Sequence, residues 1–164
     1  MKRADRQRVL LLLGVLVLLA LAGWQLQRDA SHGNGSLTTL EPATIRHVSL
    51  GLPGADVLHY EKRRDGHWWR TDGTPRPVAD DDRLNDLTDI AAARVLSWRP
   101  LGDFDPARIG LSPPRAVLVL DGQTLVFGIS AVTGPQQYVQ VDQRVALVSA
   151  RYMPRSPEIR TTEL

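Results

Sequence analysis

Eighteen consecutive residues without a charge, Val9 to Leu26 (VLLLLGVLVLLALAGWQL), constrain this chain more than any other stretch. Coiled as a helix at about 1.5 Å per residue, they reach roughly 27 Å, close to the hydrocarbon thickness of a bilayer. Eight leucines and three valines fall between Val9 and Leu21. At about 0.4 kcal/mol each they favour insertion by on the order of 4 kcal/mol, more than Gly14 and the alanines cancel. The residues ahead of the run hold Lys2, Arg3, Arg6 and Arg8 against Asp5, and a basic flank stays on the cytoplasmic side. The segment reads as a single transmembrane anchor with everything after Trp24 exported. Ala20-Leu21-Ala22 also fits the small-x-small site of a signal peptidase, so a leader cleaved after Ala22 is the alternative. Trp24, placed where an interfacial aromatic belongs, speaks for retention.

That basic head also decides how the charge balance is read. The formal net charge over 164 residues is +2, and Met1 to Arg8 alone carries +3, so the remainder sums to −1. Such an exported remainder gives no ground for a nucleic-acid partner. The chain has no cysteine, which excludes disulfides, thiol nucleophiles and Cys-based zinc sites. Arg28 to about Leu40 includes DASHGNGSL, a Gly/Ser/Asn stretch without apolar period that reads as a flexible tether. The expected organisation is a cytoplasmic head (1–8), an anchor (9–26), a tether (27–43), a folded domain (44–154) and a C-terminal tail (155–164).

Within the domain, alternation from Ile45 to Leu50 predicts a first strand. Val57 to Arg64 and Trp68 to Thr71 flank Asp65-Gly66, a two-residue hairpin signal of the type I′ class. That turn would set Glu61 opposite Arg70, Lys62 opposite Trp69 and Arg63 opposite Trp68. Pro75 and Pro77 then stop strand pairing, and Asp80 or Asp81 is suited to cap a helix. Leu84, Leu87, Ile90 and Ala91 form its apolar stripe, while Asp82, Asp86 and Asp89 share the wet face. RVLSW resumes extended structure. In LGDFDPARIGL, Asp105 before Pro106 and then Gly110 outline one capped helical turn. Pro113 and Pro114 act as a joint that delivers the chain, extended, into Ala116 to Leu120. Leu125 to Ile129, Tyr138 to Val141 and Val145 to Val148 are further strands, linked tightly at Asp121-Gly122 and Asp142-Gln143. The predicted class is α+β: a mostly antiparallel meander with one main helix packed on one face.

Candidate chemistry is sparse. Asp80, Asp81 and Asp82 follow one another on a helix, where successive side chains point about 100° apart, and so cannot share one cation. His47, His59 and His67 lack a metal-ligand spacing. Nucleophile-elbow, zinc-protease and phosphate-loop patterns are missing, and the reading is a non-enzyme without cofactor or metal. The stretch EKRRDGHWWR is different. Lys62, Arg63, Arg64 and Arg70 with Trp68 and Trp69 have the composition of a polyanion-binding patch. Alternation along a strand sends Trp68 and Trp69 to opposite faces, so one of them enters the core and the other is left for the patch.

In order along the chain come an N-terminal span, an Asp-Gly-x-Trp hairpin and the helix RLNDLTDIAAARV. Then follow Phe104-Asp105, Ile109-Gly110-Leu111 with Pro113-Pro114-Arg115, LVFGIS and QQYVQVDQRVALV. In these features, over roughly Ile45 to Tyr152, the chain resembles the bacterial proteins grouped as domain of unknown function 4340. The resemblance implies a single-pass inner-membrane protein with an extracytoplasmic domain. It further implies an accessory role beside an ABC-type transport system of the gliding-motility type, with a transport permease as partner. Relatives often carry tandem copies, whereas this chain has one, and the family supplies no catalytic residues. The alternative expectation is an extracytoplasmic ligand-binding module that recognises anionic lipid or an envelope polymer through the basic-aromatic hairpin.

Overall fold

A computed structural model describes residues 35–73 and 79–157; the apolar run Val9–Leu26 lies outside them. Among the described residues, no helix is long and apolar enough to cross a membrane. The folded unit begins at Ser36. It is an α+β fold of eight strands in one antiparallel sheet with one α-helix. The strands are β1 (His47–Gly51), β2 (Leu58–Lys62), β3 (Trp68–Arg70), β4 (Val95–Pro100), β5 (Ala116–Leu120), β6 (Gln123–Ser130), β7 (Gln136–Val141) and β8 (Arg144–Ser149); the helix is α1 (Asp81–Asp89).

The sheet order is β3-β2-β1-β5-β6-β7-β8-β4, which corrects the expected simple meander. Two meanders lie side by side, joined where β1 pairs with β5, and β4 sits at the far edge beside β8. The reason is the helix. It follows β3, and the chain emerges from it at the opposite edge, where β4 pairs with β8. The 101–115 connection must then return to the middle of the sheet before β5 begins. Each face thereby acquires a cover.

Period-2 alternation decides what each cover meets. Val48, Leu50, Tyr60, Trp68, Leu118, Leu125, Phe127, Val139 and Ala146 point to one face and are buried with Leu84, Leu87, Ile90 and Ala91 of the helical segment. The helix starts as its composition requires: the Asp80 carboxylate accepts the Arg83 N–H at 3.2 Å, with Asp81 and Asp82 in the first turn. On the other face Ile109 and Leu111 join Val145, with Phe104, Val126 and Tyr138 packed against them, as a second, smaller cluster. Two glycines permit that crossing. A Cβ on Gly128 would lie 2.2 Å from the Ile109 carbonyl oxygen, and Gly110, at φ +70°, has Ile129 Cγ2 2.5 Å from where its Cβ would be.

Three local expectations change. The joint at Ser112–Pro113 is a cis peptide bond rather than a continuous extended run. The hairpin register is one residue off the expected one: Lys62 faces Trp68, Glu61 faces Trp69 and Tyr60 faces Arg70. Gly66 N–H bonds to the Arg63 carbonyl and Arg63 N–H to the His67 carbonyl, both at 3.0 Å, with Gly66 at φ +87°. This is a three-residue loop ending in a left-handed glycine, not a two-residue type I′ turn. The third change concerns the tether. Leu37 and Thr38 are buried, with their N–H groups bonded to the carbonyls of Ala93 (2.9 Å) and Ala91 (3.0 Å). The domain therefore begins at Ser36 rather than Thr44, and its packing runs on to a buried Pro157.

Candidate functional site: the basic-aromatic hairpin

The β2–β3 loop separates the six residues of the expected patch. Trp68 is fully buried, its Nε1 donating to Asn85 Oδ1 of α1 at 3.1 Å. It leaves the surface, and the slipped register is why: pairing with Lys62 places it on the helix-covered face. Lys62 lies over the same ring on that side, its Nζ 5.5 Å from the ring centroid. Trp69 takes the open face, where the Arg63 guanidinium stacks at 4.3 Å. Arg70 is bound to Asp72 at 3.0 Å and is thus neutralised within the fold. Burial works against the Asp72 carboxylate, yet hydrogen bonds from Arg70 and from backbone N–H groups hold its pKa below the usual range.

The loop is locked to the helix through one carboxylate. Asp81 Oδ1 accepts the Trp68 N–H at 2.7 Å, and Oδ2 meets His67 Nδ1 at 2.6 Å. The Trp68 N–H and then the His67 bond lower the Asp81 pKa; the bond to Asp81 and its charge raise that of His67. Asp80, Asp81 and Asp82 thus do separate jobs: a cap, a clamp and a solvated face. The other two histidines among the described residues are also exposed and locally bonded. His47 lies 3.3 Å from Asp121, and His59 Nδ1 lies 2.6 Å from the Ser49 hydroxyl.

What stays available is a smaller cationic group with one member that spacing could not reveal. Arg46 joins Lys62, Arg63 and Arg64 around an open depression of about 470 Å³, with Glu61 and Asp65 on its rim. It arrives from the start of β1, where its carbonyl accepts the Lys62 N–H at 2.8 Å. Four cations against two acids can attract an anion, and Trp69 under Arg63 adds a flat apolar surface beside them. Nothing in that group is arranged as a nucleophile and base. Among the described residues, no three His, Asp or Glu side chains are grouped to hold a metal ion. A second groove, about 760 Å³, runs between α1 and the C-terminal segment, lined in part by Arg83, Asp86, Arg151 and Tyr152; some seventy positions separate its two walls, so no local motif announces it.

Compared with known proteins, the chain matches no family model, no curated protein and no solved structure. The likeness to the domain of unknown function 4340 group therefore rests on the sequence features alone.

Proposed function

We propose that this is a non-catalytic, membrane-anchored envelope protein whose exported domain serves as an accessory or interaction component of an ABC-type transport system. The observation that carries the reading is the docking of Leu37 and Thr38 on Ala91 and Ala93, which starts the fold at Ser36. Only positions 27–35 separate Ser36 from the apolar run ending at Leu26. Nine residues reach at most about 30 Å, so an anchored chain keeps its domain beside the membrane and its transporters. The permease as partner comes from the family resemblance. A photo-reactive residue at Arg64, in the exposed hairpin loop, tests it in intact cells. A crosslink to an integral transport subunit, identified by mass spectrometry, is the expected result; capture of soluble proteins only would refute the reading.

The Arg46–Arg64 group favours a second reading, recognition of an anionic envelope polymer. Binding of such a polymer should weaken steeply with salt and drop at least tenfold in Arg63→Glu/Arg64→Glu, since each reversed contact costs on the order of 1 kcal/mol. Equal binding by wild type and variant would dismiss it.

A further inference from the structure

We infer that the end of the domain where the chain joins it at Ser36 docks on the surface of an anionic bilayer through Val57, Leu96 and Val132. This rests on the reading of Val9–Leu26 as a retained anchor, and it adds an orientation to that reading.

Strand register divides the sheet into two ends. Leu50 faces Leu58, Gly51 faces Val117, Ser130 faces Gln137, Gln136 faces Ser149 and Val95 faces Val148. Hence the β1–β2 loop, the β6–β7 loop, the start of β4 and the end of β8 share one end. The hairpin loop at Arg64 and the tight turns at Asp121 and Asp142 lie at the other. Ser36 bridges Arg94, immediately before β4, and so belongs to the first end.

Large apolar side chains left in water are not unusual singly; their distribution is what matters here. Among the described residues three stand exposed: Val57 at 49%, Leu96 at 42% and Val132 at 101%. Val57 and Val132 sit on loops at the Ser36 end, and Leu96 is the second residue of β4, at a register irregularity that turns it out of the ladder. From β2 to β4 is six strand spacings, so these prongs are spread over roughly 30 Å. Apolar points spread this far apart cannot form the compact, continuous core of a protein interface. A fluid surface can accept each of them separately.

Charge agrees with an anionic partner. Arg94, Arg115 and Arg151 are exposed at this end. The acids there are Asp56, next to Val57, Asp72, already paired with Arg70, and Asp86 and Asp89 of α1, which share a groove with Arg151 and the exposed Arg155. Arg94 and Arg115 lie outside that groove and suit the negative lipid headgroups of a membrane. Docked this way, the domain raises its Arg46–Arg64 group away from the bilayer by about the length of β6, roughly 26 Å for its eight residues. That group then stands clear of the lipid and faces whatever projects from the membrane beside it, a transport subunit included.

The absence of cysteine from the whole sequence makes the test direct. The full chain, reconstituted in vesicles of phosphatidylethanolamine and phosphatidylglycerol, takes one environment-sensitive label at Val132→Cys, Leu96→Cys or Gln143→Cys. Lipids spin-labelled at the headgroup should quench the first two several-fold more than the third, which sits in the far β7–β8 turn. The difference should shrink in Arg94→Glu/Arg115→Glu/Arg151→Glu. Vesicles that float with the chain but quench all three labels alike overturn the docking and leave the anchor standing. A chain that fails to float overturns the anchor, and the docking with it. Energy transfer between labels at Val132 with no lipid quenching assigns this end to a second copy and likewise overturns the proposal.

Discussion

At Asp81 one carboxylate joins the hairpin to the helix, and its two oxygens respond to pH in opposite company. Its pKa is held below the ordinary 3.8, so its contribution to stability is present above about pH 4 and is lost as pH falls through the lowered value. The His67 pKa is raised above 6.5, so its contribution is complete below about pH 6.5 and is lost as pH rises through the raised value. The pair stabilises the fold fully in the window between about pH 4 and 6.5. Asp81→Asn keeps an acceptor for the Trp68 N–H but removes the charge. Its melting temperature should fall furthest below wild type near pH 5.5, and the gap should narrow by about pH 9. A gap independent of pH would deny the ion pair any part. None of this partnership was visible in the sequence, where Asp81 served equally well as a cap; the β2–β3 hairpin, 13 and 14 residues earlier, supplies both of its partners.

Among the elements, α1 was the most legible. Its cap, acidic first turn and apolar stripe all lie within one short segment, and each agrees with the others. The hairpin was legible as a hairpin but not in register. The same Asp-Gly dipeptide makes two different turns in this protein. Asp121 and Gly122 both adopt positive φ, +45° and +89°, with Leu120 facing Gln123 across a two-residue turn. At residues 65–66 only the glycine does. The difference is tertiary: the Asp121 carboxylate is taken by the backbone N–H groups of Arg46 and His47, whereas Trp68 must reach the helix side. A one-residue slip exchanges the faces of every side chain beyond the loop. It is that exchange which buries Trp68 and leaves Trp69 with Arg63. Trp68→Ala should accordingly cost about 3–5 kcal/mol in urea unfolding, and Trp69→Ala about 1 kcal/mol or less. The reverse ranking would mean that the other register holds in solution.

Across the whole molecule, the sheet order and the domain boundary went beyond local signals. β1 and β5 are 69 positions apart at their starts, and their pairing depends on where the intervening helix and β4 are sent. The boundary moved for a related reason. Ser36 to Leu40 has the composition of a linker, yet Leu37 is buried in the main core with Ala91 and Ala93. A chain beginning at Gly35 should melt like the full-length protein. One beginning at Thr44 should lose on the order of 3 kcal/mol, the usual cost of emptying a buried leucine site. Equal melting of the two would return residues 36–43 to the tether.

The features readable from residue order alone are those whose cause is local: an uncharged run as long as a bilayer is thick, a helix with its cap and stripe, strands with period two, and the lack of any compact catalytic motif. These need neighbours only three or four positions away. Strand order, hairpin register, the burial of Leu37 and the meeting of Arg46 with Lys62 and Arg63 needed the folded chain. Each is a choice between locally equal options, settled by which arrangement leaves the fewest apolar side chains in water.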